Sequence, residues 1–442
     1  MGRHCEARWE PGAEADLPRA DRKHGLYNRY LPDLLRDRPL LVPPELGARA
    51  ARAERDVRTL STGPGAAGLE GLARFLLRSE AIASSLIEGI APSPQQVALA
   101  ELSQDEPVRG FSDQARLVAN NITILRTAAR ELVAADEVTV EDVEALHRVL
   151  LPEERHHGLR EVQNWIGGSN WHPLDAQFVP PPVEHVRPLM DDLLAYLNGS
   201  VHAPIVQAAI VHAQFETIHP FTDGNGRVGR ALIHTVLTRR GLTPSAILPV
   251  SLVLATLKDT YVAGLTDYRY EAPPTAAEAH AGVAAWLAMF LAATTTAAAQ
   301  ARLFADQIGS LKAQWEQQVS DHRARQGVRG TPRADSASSR LLAILPEVPI
   351  LTTRTVQRLL HVSFPPARAG LEELAEAGVL SRRSVEQGTT GYVATELFQI
   401  LGHAERQLAS TRWDTREAPP SRPAPARTDL PARLSRQRGD WP

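Results

Sequence analysis

The chain has one cysteine, Cys5, among 442 residues, which excludes an intrachain disulfide and suits a reducing compartment. Aromatic residues make up only 5%, so its cores must be built from Leu, Val and Ala. The formal net charge is −3, which argues against a generally basic nucleic-acid binder. The first 25 residues hold no apolar run of the kind a signal peptide needs. The most apolar stretch, AGVAAWLAMFLAATTTAAAQ, is embedded in helical pattern and breaks into threonines, so it reads as a core helix rather than a membrane span. A cytoplasmic location without a membrane partner is the expectation. What is present is ample: 43% hydrophobic residues, enough for two or three domains.

Chemistry concentrates in the twelve residues from His219 to Arg230, HPFTDGNGRVGR. The preceding PIVQAAIVHAQFETI begins with Pro204 at a first turn and spaces Val211, Phe215 and Ile218 for a buried helix. The following VGRALIHTVLTRRG places Val228, Leu232 and Val236 on one face and closes with Arg239, Arg240 and Gly241. The unit is helix, polar loop, helix. Gly224, Asn225 and Gly226 allow backbone N–H groups to converge at a helix N-terminus, where the dipole favours phosphate. Arg227 and Arg230, three apart, lean back toward the same point. Asp223 is a hard oxygen ligand suited to Mg²⁺, and His219 can accept a proton from a hydroxyl near neutral pH. Phe221, apolar in a polar loop, is expected to anchor it. Base, metal ligand and phosphate clamp together point to group transfer from a nucleotide.

This string matches the HPFx[DE]GNGRxxR motif, and the chain thereby resembles the Fic proteins. The resemblance implies a protein adenylyltransferase that moves AMP from ATP to a Ser, Thr or Tyr hydroxyl of a target protein, which can be the enzyme itself. It implies His219 as the base, Asp223 as the Mg²⁺ ligand, Gly224, Asn225, Gly226 and Arg227 on the phosphates, and Arg230 on the γ-phosphate. In LKDTYVAGLTDYR, similar to the family's stretch near the adenine, Tyr261 is retained and Val262 replaces the second aromatic, which leaves the base pocket less aromatic.

A second segment bears on control. LEGLARFLLRSEAIASSLIEG reads as a helix offering Leu72, Phe75, Leu76, Ile82 and Leu86 to a core, with Gly89 as its left-handed cap. Glu88 falls at the end that favours cations, so it must be solvated or paired. Its surroundings, SSLIEG, resemble the family's [ST]xxxE[GN] inhibitory motif through Ser84, Glu88 and Gly89. The resemblance implies a resting enzyme inhibited in cis by a Glu88–Arg230 pair, with AMP removal as a further activity open to it.

REVQNWIGGSNWHPLDAQFVPPP suggests a short hairpin ended by three prolines and resembles the flap of longer Fic proteins. Trp165, Ile166, Gly167, Gly168, Phe178 and Val179 would then hold a target loop by strand addition.

The fold expected is mainly α: an N-terminal disordered stretch (1–24), a helical region bearing the inhibitory helix (25–104), a Fic-type helical bundle with a β-hairpin flap (105–300), a helix and linker (301–335), a small winged helix-turn-helix domain (336–402) and a disordered Pro/Arg-rich tail (403–442). Phe304, Ile308, Leu311 and Trp315 mark an amphipathic helix expected to pack within the chain, with a homodimer as the other use. The winged segment carries Arg368 beside Glu372, Glu373 and Glu376, an unfavourable surface for phosphates, so DNA is possible but not favoured. Two other functions stay open: a DNA-binding regulator whose Fic-like domain senses nucleotide, and a transferase of a different phosphate-containing group.

Overall fold

A computed structural model describes residues 2–11, 21–62, 66–153, 155, 157–199, 202–243, 247–328 and 332–411. The chain is mainly α, as expected. Strands β1 (Arg3–Trp9) and β2 (Gly25–Leu31) form an antiparallel ribbon in register from Arg3 opposite Leu31 to Trp9 opposite Gly25. Residues 3–9 are therefore ordered, contrary to the disorder expected for 1–24, because the ribbon is held from outside. The Tyr30 N–H donates to Val179 O, and the Tyr30 hydroxyl to Tyr270 O.

Helices α1 (Pro44–Thr62), α2 (Ala66–Ile87), α3 (Pro94–Leu102), α4 (Asp113–Thr127), α5 (Val140–Leu150) and α6 (Val186–Gly199) precede the central pair. Ser93, Ser112 and Thr139 cap α3, α4 and α5, each accepting a hydrogen bond from a backbone N–H in the first turn. In α2, Leu72, Phe75, Leu76 and Ile82 enter the core as expected, whereas Leu86 turns outward and is 38% exposed.

The pair α7 (Pro204–Ile218) and α8 (Asn225–Arg239) occupies the middle of the bundle. Every residue of α7 is buried, since α1, α6, α8, α10 (Lys258–Tyr268) and α11 (Ala277–Arg325) all pack on it. The Trp286 indole of α11 donates to Ala209 O in α7, fixing the two together. α9 (Val250–Thr256) lies against α2.

Helix α11 runs unbroken for 49 residues, about 75 Å at the usual rise, through the boundary expected at residue 300. By length and composition alone it is able to cross a membrane, where a core helix is expected; half of its apolar window is buried inside the fold. Phe304, Ile308, Leu311 and Trp315 all face inward, consistent with the intrachain packing expected of them.

The C-terminal segment comprises α12 (Ala337–Ile344), β3 (Ile350–Leu351), α13 (Thr353–Leu360), α14 (Phe364–Glu376), β4 (Ser381–Glu386) and β5 (Thr389–Val393), with sheet order β3-β5-β4. These are the three helices and strand pair expected there, with β3 in addition. α15 (Thr395–Thr411) continues as helix beyond residue 403, where a disordered tail was expected; the rest of that tail, 412–442, lies outside the described residues. Glu106 ties this segment to the bundle: its buried carboxylate accepts from the Thr352 and Thr355 hydroxyls, both at 2.6 Å, at the start of α13.

Candidate active site

The site is built where α7 stops and α8 starts. His219 is the C-cap of α7 at φ +50°, a left-handed conformation that turns the chain sharply, and Pro220 prevents the helix resuming. Phe221 anchors the loop as expected: it is fully buried and stacks on His147 of α5, with ring centroids 3.9 Å apart. The Asn225 side chain braces the turn, accepting from Phe221 N–H and donating to Phe221 O, both at 2.8 Å. It was expected among the phosphate ligands, yet its side chain is used within the loop. Gly224, at φ +78°, is the N-cap of α8, and a Cβ there would press on Leu150 and Leu151. The first intrahelical bond runs from Val228 N–H to Gly224 O, so the amides of 225–227 precede the ladder.

Three residues that sequence reasoning did not single out for this site hold the loop from outside. The Arg160 guanidinium donates to His219 O at 3.0 Å and Pro181 O at 2.6 Å, Asn164 Nδ2 donates to Phe221 O at 2.8 Å, and the His147 ring is 2.9 Å from Asp223 O. Only Arg160 and Asn164 carried a signal, inside the segment matched to the flap.

Arg230 is fully buried on α8 and donates to the Ser84 hydroxyl (2.8 Å), Ser84 O (2.7 Å) and Glu88 Oε1 (2.7 Å). Ser84 and Glu88 thus meet Arg230 as expected, and Gly89, at φ +79°, follows the end of α2. Burial alone would raise the Glu88 carboxyl; Arg230, then Arg227 and His219, outweigh it and hold Glu88 below the usual carboxylate range. The same balance keeps Arg230 charged: burial opposes the charge, and Glu88, Tyr261 and Glu216 more than offset it. Lys258 caps α2 by donating to Ile87 O, which lets a carboxylate sit one residue past a helix C-terminus. The Glu88 carboxylate also fills the space beside Gly226 where a Cβ would stand, so it lies in the mouth of the glycine cradle.

Arg227 has Nε and Nη1 buried without a hydrogen-bond partner, an arrangement that calls for an anion. Asp223, 60% exposed, accepts from Gly224 N–H and lies 3.7 Å from Arg227. His219 is neutral at physiological pH: burial first, then Arg269 and Arg160, pull its pKa down to about 4 against the opposing effect of Glu88. Tyr261 was expected at the nucleotide. The structure places it in the core behind Arg230, its hydroxyl 2.8 Å from His212 Nε2, because Tyr261, Leu265 and Tyr268 form the inward face of α10. Val262 is the exposed neighbour, at 45%.

The expected flap hairpin reduces to one antiparallel bridge, Ile166 with Phe178. Gly167 and Gly168 are both at φ +74°, and Gly168 packs directly on the backbone of Asp175, so the chain curls instead of extending. The Trp165 indole donates to Ser169 O and its ring meets Trp9 edge-on at 5.5 Å. Phe178 lies under the Arg269 guanidinium, 3.5 Å from the ring centroid, and Val179 O is already taken by Tyr30. Part of the edge expected to receive a target strand is therefore occupied by the chain's own N-terminal ribbon.

A histidine at the rim of a glycine-rich helix N-terminus, with two buried arginines on that helix, is an arrangement able to receive an anion. Residues 137–237 match the model of the Fic/DOC family, and the chain carries a Fic/DOC-family domain. It is 33% identical over 141 residues to the protein adenylyltransferase fic-1 of Caenorhabditis elegans, covering 30% of this chain and 26% of that protein. It is 31% identical over 177 residues to a probable protein adenylyltransferase of Aquifex aeolicus, covering 39% and 52% respectively. The match to this chain thus spans about a quarter of the first relative and about half of the second. A Fic family protein from Desulfovibrio desulfuricans shares the fold with a TM-score of 0.50 at 20% identity, over 80% of this chain and 98% of its own.

Proposed function

We propose that the protein transfers AMP from ATP to a hydroxyl side chain of a target protein and is inhibited in cis by Glu88. The observation that carries this reading is the placement of neutral His219 beside a cradle in which Nε and Nη1 of Arg227 are buried without a hydrogen-bond partner and Arg230 is paired only internally, with Glu88. ATP would set its phosphates against the amides of 225–227 and Arg227, with the γ-phosphate on Arg230 once Glu88 has left. His219 takes the proton of the target hydroxyl as its oxygen bonds to the α-phosphorus, and pyrophosphate departs.

Magnesium fits as an ion shared with the substrate. Among the described residues no group of three or more His, Cys, Asp and Glu is gathered for a metal; with the Glu88 carboxylate held by Arg230, Asp223 is the exposed carboxylate at the cradle that no buried arginine engages in a hydrogen bond. One carboxylate with phosphate oxygens and water is a usual set for Mg²⁺, which would neutralise phosphate charge there. The target would pass along the curled loop near Phe178. Relatives named protein adenylyltransferase support the choice of AMP as the transferred group.

The test uses the purified chain, its Glu88→Gly form and a His219→Ala control with ATP labelled separately at the α and γ positions, alone and with lysate. Label from the α position only, strongest in Glu88→Gly and lost in His219→Ala, is expected. Label from γ only would replace AMP by phosphate as the transferred group. No label under any condition would return the domain to a nucleotide sensor.

A further inference from the structure

Three residues before His219, on the last turn of α7, Glu216 has its side chain only 8% exposed, and Oε1 makes no hydrogen bond. His219 Nδ1 is likewise buried and makes no hydrogen bond of good geometry, although the Glu216 backbone carbonyl of the same turn approaches its ring. The Glu216 side chain is the charged group nearest to it, with 4.0 Å between Nδ1 and Oε2. An unsatisfied buried carboxyl is costly, and native folds retain few of them without a use. The space for it is specific: a Cβ on Gly229 of α8 would come within 2.6 Å of Glu216 Oε1 and 2.9 Å of Phe215, so the fifth residue after Gly224 must be small for the acid to fit.

The charged and titratable groups facing Glu216 are His219 at the C-cap of α7, Arg230 on α8, Glu88 just past α2, Tyr261 on α10 and Arg269 just beyond it. His212, one turn earlier on α7, borders the same gap at Gly229 and has its Nε2 on Tyr261. Burial pushes the Glu216 carboxyl up to about 7, with Arg230 and Arg269 opposing and Glu88 adding to the rise.

We propose that Glu216 is a positioning residue, which accepts the Nδ1–H of His219 so that Nε2 is presented as the base, and which balances the imidazolium formed when Nε2 receives the target's proton. The inference rests on the transferase reading. A side-chain movement of about 1 Å converts the 4.0 Å approach into a hydrogen bond of ordinary length. The proton ledger is closed: the hydroxyl proton goes to Nε2, Nδ1 keeps its own, the new bond is oxygen to α-phosphorus, and the bond to pyrophosphate breaks. Without an acceptor behind it, a histidine whose pKa is near 4 is a weak base; a carboxylate on Nδ1 raises its proton affinity in the transition state.

The experiment compares the full chain carrying Glu88→Gly with the same chain also carrying Glu216→Gln, which preserves shape and removes charge. Measured are kcat for AMP transfer, ATP affinity, and the ¹⁵N shifts of the His219 ring, assigned as the signal absent from His219→Ala. In the parent the ring is expected as a single Nδ1–H tautomer. In Glu216→Gln it becomes a mixture, since an amide donates as readily as it accepts, and kcat falls about 100-fold with ATP affinity within about two-fold. An unchanged tautomer overturns the proposal, whatever happens to kcat, as does a mixed tautomer with parental kcat. If the Glu88→Gly parent transfers no AMP, the transferase reading fails, and the tautomer measurement still decides whether Glu216 and His219 are paired.

Discussion

Arg230 Nη2 lies 2.7 Å from Glu88 Oε1, and the same carboxylate fills the space beside Gly226. One side chain thus occupies both parts of the proposed phosphate site, the guanidinium and the cradle. The pair is not sealed: the Glu88 side chain is 36% exposed, so its replacement by a triphosphate requires no opening of the core. In calorimetric titration, Glu88→Gly should bind ATP about 10-fold tighter than the parent. Equal affinities would mean that the carboxylate does not compete with phosphate.

Arg160 reaches His219 O, Val162 O and Pro181 O with one fork, joining the catalytic loop to the segment that carries Phe178. Burial lowers its pKa to about 10, which still leaves it charged at neutral pH. Lysine cannot span three carbonyls, so Arg160→Lys is expected to reduce kcat about 10-fold while ATP affinity is kept. Full activity in Arg160→Lys would show that charge, not the fork, is what matters.

His147 is fully buried, stacked on Phe221 and 2.9 Å from Asp223 O. Alanine there removes the stack and leaves the carbonyl without its partner. Urea denaturation of His147→Ala should show a loss of about 2 kcal/mol. AMP transfer should fall as well, because the loop anchored by Phe221 carries Asp223.

Two buried histidines make the fold acid-sensitive. Burial, then Arg230, lowers His212 to about 3, and burial, then Arg269, lowers His219 to about 4. In the unfolded chain both titrate near the ordinary 6.5, so between that pH and their folded values the native state binds fewer protons. Their contribution is complete above 6.5 and is lost as pH falls toward 4 and 3. Glu216 acts in the opposite direction: raised to about 7, it favours the fold below the usual carboxylate range and loses that contribution as pH rises through 7. Melting temperature should therefore fall between pH 6.5 and 4.5, and less steeply in His212→Gln, which removes one of the two histidine contributions. Parallel curves for the two proteins would assign the acid sensitivity elsewhere.

Glu106 accepts from both threonine hydroxyls at the start of α13, from outside the C-terminal segment. Glu106→Ala should destabilise that segment by about 2 kcal/mol and speed amide hydrogen exchange in α13 ahead of α7. Uniform exchange across both helices would show that the two parts unfold as one.

Much of the site was legible because it is local. The motif from His219 to Arg230 is twelve consecutive residues, and the glycines, the proline and the flanking apolar periodicity each fix backbone shape over a few positions. Ser84, Glu88 and Gly89 were legible through a similar short pattern. What was missed depends on distant partners. The ribbon β1–β2 is ordered by contacts with Val179 and Tyr270, far along the chain. The flap curls because Gly168 meets the Asp175 backbone. Tyr261 faces inward because of where α10 packs, which no spacing within LKDTYVAGLTDYR announces.

The amino-acid order by itself determined which groups exist at the phosphate site and the helix–loop–helix that presents them, since capping, positive φ and side-chain spacing act over one or two turns. Only the tertiary structure decided how they are employed. It set Glu88 against Arg230 across 142 positions, used Asn225 to brace the loop, and placed Glu216 behind His219 in a gap that only Gly229 leaves open. Those roles depend on the desolvation and charge pairing that arise when remote helices close on one another, and neither is a property of any single segment.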